Sequence, residues 1–192
     1  SGCIRKGDAV TLTVDVVQRE ATACNHTATH ILHAALRMVL GDHVKQAGSL
    51  VSAERLRFDF THFSQVDSDA LEQIERIVNQ RVRENVPVHI EEMDADAAFK
   101  SGATALFEEK YGDRVRVITL DTFSKELCGG THTQRTGNIG MFKIISEASV
   151  ASGVRRIEAV TGEAALDHVL KSFRMIKEGA GLLKTKPEDI PL

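Results

Sequence analysis

Two short segments of the sequence each carry a pair of side chains that can bind a metal ion. His26 and His30 are four residues apart in the first segment, and Cys128 and His132 have the same separation in the second. Residues at this spacing share one face of a helix or flank a tight turn, so each pair can point at one position. Three imidazoles and one thiolate form a ligand set suited to Zn²⁺. The spacing therefore predicts a zinc site, provided that the fold brings the two segments together.

Several neighbouring residues are candidates for catalysis. His33 follows His30 by one turn and is suited either to hold a metal ligand in place or to act as a general base, although a solvated helix residue fits its position equally well. The backbone amides of Gly129 and Gly130 can bind a developing oxyanion or a ribose oxygen. The alternative for both glycines is a turn that only needs their conformational freedom. Gln46 completes the predicted catalytic set.

A second group of residues is suited to substrate binding. Thr27, Thr29 and Gln46 can hydrogen-bond a small polar substrate, and a pocket with such groups rejects molecules that leave them unpaired. Gly48 lies in a small polar segment where the backbone can approach a ligand closely. Arg155 and Arg156 are candidates for a local basic patch, with solvated surface charge as the alternative.

The composition narrows the class of protein. The chain has 192 residues, of which 42% are hydrophobic and 27% charged, as in ordinary globular domains. Its formal net charge of −3 argues against binding of nucleic acid through bulk electrostatics, but it leaves room for a local basic patch. Three cysteines without a regular spacing favour a reducing compartment, and no apolar run approaches the roughly 20 residues of a membrane span. We therefore expect a cytoplasmic protein without a membrane segment.

Hydrophobic periodicity predicts an α+β fold, with a mostly antiparallel sheet and helices packed on it. Helices are expected over residues 25–40, 69–85, 94–101 and from 162 onward, with a further helical turn within 103–111. Strands are expected over residues 8–17, 44–51, 55–63, 88–93, 114–120, 139–146 and 154–160. Asn25 is the expected N-cap of the first helix, and the last helix is expected to end near Gly179.

The three histidines of the first predicted helix lie on one side of it. His26, His30 and His33 fall within roughly 60° of one another, away from the apolar stripe of that helix. We therefore expect these imidazoles to line a cleft or to face solvent.

Taken together, the motifs resemble the editing domain of alanyl-tRNA synthetase. The resemblance covers residues 5–185 and rests on segments that occur in the order found in that family. They are His26-Thr27-Ala28-Thr29-His30-Ile31-Leu32-His33, Gly48-Ser49, Arg57-Phe58-Asp59-Phe60, Gly102-Ala103-Thr104-Ala105-Leu106-Phe107, Cys128-Gly129-Gly130-Thr131-His132 and the run from Ser152 to Gly162. Residues 1–20 are predicted to be an N-terminal strand left from a preceding domain, 21–180 the editing domain, and 181–192 a tail or linker.

The resemblance implies hydrolysis of the ester that joins serine or glycine to the 3′-terminal adenosine of tRNA(Ala). A synthetic site shaped for alanine cannot strongly exclude these two amino acids by binding alone, so a second hydrolytic site is needed. By position, His26, His30, Cys128 and His132 would be the zinc ligands, and Gln46 would help to read the serine hydroxyl. The implied partners are mischarged tRNA(Ala) and the remaining domains of a synthetase.

Two other interpretations compete with this one. The editing domain of threonyl-tRNA synthetase and freestanding deacylases share the metal pattern. In a further alternative, the four ligands close the metal site and the chain is a non-catalytic, zinc-stapled tRNA-binding module. Such a module should lose its fold without the metal, whereas an editing enzyme should keep its fold and lose hydrolysis.

Overall fold

The computed structural model describes residues 2–104 and 112–190 and has the predicted α+β architecture. Its helices are α1 (Val16–Leu40), α2 (Ser68–Glu84), α3 (Ala95–Lys100) and α4 (Gly162–Leu183), with 3₁₀ turns at Thr136–Ile139 and Pro187–Asp189. Its strands are β1 (Gln46–Val51), β2 (Leu56–Thr61), β3 (His89–Asp94), β4 (Arg114–Leu120), β5 (Ser124–Leu127), β6 (Phe142–Ala151) and β7 (Val154–Thr161).

The strands form two antiparallel sheets. The larger sheet has the order β1-β2-β7-β6, and the smaller one has the order β3-β4-β5. Two hairpins, β1-β2 and β6-β7, meet in the larger sheet through pairing of β2 with β7, which places Phe58 opposite Ile157. In the smaller sheet, Ile118 of β4 lies opposite Glu126 of β5.

The main hydrophobic core lies between α1, α2 and the larger sheet. Its largest fully buried side chains come from all three parts of that sandwich: Ile31, Leu32, Leu36, Leu56, Phe58, Phe60, Ile74, Phe142 and Ile157. Full burial of one such side chain contributes about 1.5–3 kcal/mol. This packing fixes the position and rotation of α1, which carries His26, His30 and His33.

The smaller sheet has its own, much smaller core. Val115, Val117 and Leu127 pack there with Ala98 of α3 and with Ala103. β5 ends one residue before Cys128, whose backbone N–H donates to the carbonyl of Arg116 at 3.0 Å. The two candidate metal-binding segments thus come from different parts of the fold, α1 on one side and the loop after β5 on the other.

The predicted N-terminal strand over residues 8–17 is wrong. Residues 8–15 have neither helical nor strand structure, and α1 begins at Val16 after its N-cap Asp15, whose carboxylate accepts from the backbone N–H of Gln18. Val10, Leu12 and Val14 are exposed. An alternating pattern forms a strand only when a neighbouring strand satisfies its backbone, and these residues pair with no strand of the described chain.

The prediction that Asn25 caps the first helix is also wrong, because α1 begins nine residues earlier. Asn25 is buried in the middle of α1, where its amide donates to the carbonyls of Ser52 and Ala53 and accepts from the hydroxyl of Thr161. A polar residue followed by an apolar stripe is the pattern of an N-cap, but here the side chain connects the helix to the larger sheet.

Three further differences concern short or glycine-containing segments. β5 was not predicted, since four residues are too few to show a period. α4 continues through Gly179 and Gly181 to Leu183 instead of ending near Gly179. Of the predicted helical turn within 103–111, residues 105–111 lie outside the described part of the chain. No helix of the described residues is long and apolar enough to cross a membrane.

Candidate metal centre

The four predicted metal ligands lie together. One ligand atom each from His26, His30, Cys128 and His132 can be chosen so that all four lie within 4.8 Å of one another. Cys128 Sγ is 3.4 Å from His26 Nε2 and 3.3 Å from His132 Nε2. Helix α1 and the loop after β5 therefore converge on one point, as the sequence prediction required.

Each of two imidazoles is held through the ring nitrogen that faces away from this point. His26 Nδ1 is 3.2 Å from the carbonyl oxygen of Thr131, which can only accept, so the ring carries its proton at Nδ1. His132 Nδ1 is 3.2 Å from the hydroxyl of Thr27. This arrangement leaves Nε2 of each ring facing the thiol, which is how metal-binding histidines are commonly oriented.

His30 has a buried ring nitrogen that an ion at this point could satisfy. Its Nδ1 bonds to a carboxylate oxygen of Glu126, and its Nε2 is buried with no hydrogen-bond partner among the described residues. A buried polar atom without a hydrogen-bond partner lowers the stability of the fold by about 1–3 kcal/mol, so its presence in the structure needs an explanation. A divalent ion between the four side chains would supply one, and three imidazoles with one thiolate fit Zn²⁺.

The electrostatics of the site favour the protonation states in which Cys128 and His132 can bind a metal ion. Burial disfavours the thiolate of Cys128, but hydrogen bonds with His132 and His26 and the nearby His30 ring outweigh it and lower the pKa of the thiol to about 3. Burial lowers the pKa of His132 to about 4, against the hydrogen bond to Cys128. A thiolate and a neutral imidazole are the forms that bind metal ions.

His30 and Glu126 form a buried ion pair. Burial opposes protonation of His30, yet the nearby Cys128 thiol and the hydrogen bond to Glu126 raise its pKa to about 9. Burial likewise opposes ionisation of Glu126, but hydrogen bonds with His30 and His33 lower its pKa to about 2. A metal ion at His30 Nε2 would replace the proton on that nitrogen, so metal binding is expected to release a proton.

The two glycines of the loop differ from each other. A Cβ on Gly130 would lie 2.0 Å from His26 Cε1, whereas a Cβ on Gly129 would meet nothing within 4 Å. Neither glycine has the positive φ that would make its conformation unfavourable for other residues. The backbone N–H of Gly130 donates to Cys128 Sγ at 3.5 Å. Gly130 is therefore required for close approach to His26, and its amide is directed at the thiol.

The other candidates on α1, which are Thr27, Thr29 and His33, are buried, and their side chains form hydrogen bonds within the protein. The Thr27 hydroxyl contacts His132 and accepts from the backbone N–H of Thr133 at 3.2 Å, and the Thr29 hydroxyl donates to the carbonyl of Asn25. His33 is 3% exposed, and its Nδ1 bonds to Glu126. The expectation that the histidines line a cleft or face solvent is wrong for His30 and His33, because β5 covers this side of α1.

Gln46 and Gly48 lie on β1, in the larger sheet. The side-chain amide of Gln46 donates to the hydroxyl of Ser49 at 3.3 Å. In the sheet, Gln46 lies opposite Phe60 of β2. A Cβ on Gly48 would lie 3.5 Å from a carboxylate oxygen of Asp59, which is an ordinary contact. Their predicted roles in substrate binding stay predictions.

Arg155 and Arg156 both form two-point ion pairs within the larger sheet. Arg155 donates to both carboxylate oxygens of Glu147, at 2.6 and 2.7 Å, and Arg156 donates to both of Asp59, at 2.6 and 2.8 Å. Each pair joins neighbouring strands, β6 to β7 and β2 to β7. The two side chains thus have structural partners, and binding of tRNA by them stays a prediction.

Two residues of the centre were missed from the sequence. Glu126 bonds to both His30 and His33, and Arg116 donates to the carbonyls of Gly130 and Cys128 across the loop. Glu126 lies two positions before Cys128, and this closeness to a candidate ligand is the signal that could have drawn attention to it. Arg116 gives no local signal, because its contact depends on the pairing of β4 with β5.

Comparison with known proteins first gives a domain class. Residues 115–158 match the family described as the threonyl and alanyl tRNA synthetase second additional domain. The matched region takes in β5, the loop with Cys128, β6 and most of β7. This half of the candidate centre therefore occurs in a domain shared by two kinds of synthetase.

The similarity to alanine–tRNA ligases extends over nearly the whole chain. The chain is 63% identical over 187 residues to the enzyme of Desulfosudis oleivorans, 56% over 191 to that of Saccharophagus degradans and 54% over 189 to that of Thermotoga maritima. These matches cover 97–99% of this chain but only 21–22% of the relatives, so the chain spans about a fifth of their length. The predicted resemblance to alanyl-tRNA synthetase is confirmed.

Proposed function

We propose that this segment hydrolyses the ester bond of mischarged tRNA(Ala), releasing serine or glycine from the 3′-terminal adenosine. The observation that carries the proposal is the convergence of His26, His30, Cys128 and His132 on one point, in a chain whose relatives are alanine–tRNA ligases. A synthetase for a small amino acid needs such a second site, because binding alone discriminates poorly between alanine, glycine and serine.

The metal that fits the four side chains is Zn²⁺, which can polarise a carbonyl or lower the pKa of a bound water. The chain's own residues would build the rest of the site. Thr27 holds the His132 ring, and Arg116 fixes the loop through the Gly130 carbonyl. The exposed Gly129 beside Cys128 is the better candidate for an amide that binds a developing oxyanion, since the Gly130 amide donates to sulfur.

Gln46 is proposed to read the hydroxyl of serine. Its side chain has an exposed hydrogen-bond partner in Ser49, which it can exchange for a substrate without breaking the core. A substrate hydroxyl that satisfies a polar pocket is favoured, and alanine lacks such a group. Binding of the tRNA acceptor end by Gly48, Arg155 and Arg156 completes the proposal.

One observation favours a second function. All four candidate ligands come from the protein, and four protein ligands usually close a zinc site that has a structural role. The chain would then be a zinc-stapled tRNA-binding module without catalytic activity. The two functions differ in whether the ester is cleaved.

The decisive experiment compares release of serine and alanine from charged tRNA(Ala) by the zinc-loaded protein. We expect serine to be released and alanine to stay attached. Cys128→Ala should slow serine release by at least about 100-fold, the scale of a lost catalytic group. Cys3→Ala is the matched control, since Cys3 is exposed and outside the centre, and it should behave as wild type.

Further substrates separate the alternatives. Release of serine from tRNA(Thr), but not from tRNA(Ala), would indicate a deacylase of the threonyl-tRNA synthetase type. A serine-charged minimal acceptor helix at high concentration tests whether weak docking of the whole tRNA limits the reaction. Failure of the folded, zinc-loaded protein on every one of these substrates would contradict hydrolysis and support the structural module.

A further inference from the structure

Glu126 joins two histidines of α1 from the opposite side of the centre. It lies on β5 and is 5% exposed. One carboxylate oxygen bonds to His30 Nδ1, and the other is 2.8 Å from His33 Nδ1. Both rings belong to the same helix and are themselves buried, so all three side chains are enclosed between α1 and the smaller sheet.

These contacts restrict where each histidine carries its proton. An ionised carboxylate only accepts hydrogen bonds, so both imidazoles must donate from Nδ1. For His30, a neutral ring then has its lone pair at Nε2, the buried atom that lacks a partner and faces Cys128. Glu126 therefore favours the one neutral form of His30 that can bind an ion at this point.

His33 restrains the carboxylate in turn. A buried carboxylate is tolerated when hydrogen-bond donors compensate for the lost water. His33 supplies one of the two donors, while the ring of Phe58, 5.4 Å away between centroids, packs beside it. With His33 in place, the second oxygen of Glu126 is held towards His30.

We propose that Glu126 is a positioning residue of the metal centre, and that His33 acts by holding Glu126 rather than as a general base. Glu126 aligns His30 through Nδ1 and so determines how tightly the centre binds zinc. This inference rests on the zinc site of the proposed function, but it concerns metal affinity and not the identity of the substrate.

The first test is zinc affinity, measured by competition with a chromophoric chelator. Glu126→Gln keeps the shape of the side chain, but its amide has one accepting oxygen and cannot accept from both Nδ1–H groups. We expect zinc affinity to fall about 10- to 100-fold, the usual effect of losing such a partner. Glu75→Gln is the matched control, because Glu75 is a half-buried carboxylate that accepts from Lys143 and the Ile144 backbone instead. It should bind zinc as wild type does.

The second test needs no variant and therefore does not depend on whether Glu126→Gln folds. Nitrogen-15 NMR of the zinc-loaded wild type distinguishes protonated from metal-bound ring nitrogens. We expect a proton at Nδ1 of both His30 and His33, with the metal at His30 Nε2. A proton at His30 Nε2, or unchanged zinc affinity of folded Glu126→Gln, would overturn the proposal.

Deacylation distinguishes positioning from direct catalysis. Serine release by Glu126→Gln should be slow at limiting zinc and should approach the wild-type rate when zinc saturates the site. A deficit that persists at saturating zinc would assign Glu126 to the reaction itself and contradict positioning. A wild type that binds no zinc would overturn both this inference and the proposed zinc site, whereas tight binding unaffected by the substitution overturns only the inference.

Discussion

Gly130 lies so close to the ring of His26 that a single methyl group does not fit between them. The ideal Cβ position is 2.0 Å from Cε1 and 2.5 Å from Nδ1 of that ring. Real Cβ contacts are never this short, so either the loop or the histidine must move to admit a larger residue. Gly129, the preceding residue, has open space at the same position.

The two glycines therefore give a matched pair of substitutions at the residue scale. Gly130→Ala should displace His26 from the centre and lower zinc affinity by at least about 10-fold, as expected for a ligand that is no longer aligned. Gly129→Ala should leave zinc affinity unchanged. Competition with a chromophoric chelator measures both, and equal affinities of the two variants would show that the loop adapts without cost.

At this scale, spacing was sufficient to single out the four candidate ligands that the fold brings together, because each pair is local in sequence. His26 and His30 share a helix face, and Cys128 and His132 share a loop. Glu126 could not be predicted in the same way, since its bonds to α1 span more than ninety residues of chain. Such a contact depends on the docking of a sheet on a helix.

At the scale of elements, α1 is the part that must be held most firmly, since it carries two candidate ligands and His33. Asn25 connects it to both hairpins of the larger sheet, through the carbonyls of Ser52 and Ala53 and the hydroxyl of Thr161. Three hydrogen bonds from one buried side chain fix the helix along its axis as well as in rotation.

Loss of the Asn25 amide should therefore be costly. Asn25→Ala leaves the half-buried carbonyls of Ser52 and Ala53 and the buried hydroxyl of Thr161 without this partner. We expect the free energy of unfolding to fall by about 3 kcal/mol, since each unpaired group costs about 1–3 kcal/mol. Gln18→Ala is the control on the exposed first turn of the same helix and should change stability by less than about 0.5 kcal/mol. Urea unfolding of the two variants measures both values, and a loss as small as that of the control would contradict a connecting role for Asn25.

Periodicity predicted the long elements and failed on those that depend on their neighbours. The apolar stripes of α1 and α2 and the alternation of β2 are visible in the sequence because one face of each is buried in the same core. Residues 8–15 have an equally clean alternation but no strand beside them in the described chain. β5 shows the opposite case, because four residues form a strand only through pairing with β4.

At the scale of the whole molecule, two cores of unequal size meet at the candidate metal centre. The larger core contains several fully buried aromatic and branched side chains, whereas the smaller one is built from two alanines, two valines and a leucine. Burial of so little apolar area gives the smaller sheet a small share of the stability. The stability of the smaller sheet therefore depends more strongly on the contacts that join this sheet to α1.

Removal of the metal should accordingly affect the two parts differently. After chelation, we expect faster amide exchange over residues 114–135, while the amides of β2 and β7 stay protected by the larger core. Hydrogen–deuterium exchange read by mass spectrometry resolves these segments. Chelator should have little effect on Cys128→Ala, which serves as control. Loss of protection across the entire chain would instead support the zinc-stapled module.

The two halves of the centre are far apart along the chain, since His26 and Cys128 are separated by 102 residues. An ion held by both would act as a reversible cross-link that closes a loop of more than half the protein. Unlike a disulfide, its contribution follows mass action, so each tenfold rise in free zinc above the dissociation constant adds about 1.4 kcal/mol of stability. We therefore expect the melting temperature of this segment to report the free zinc concentration around it.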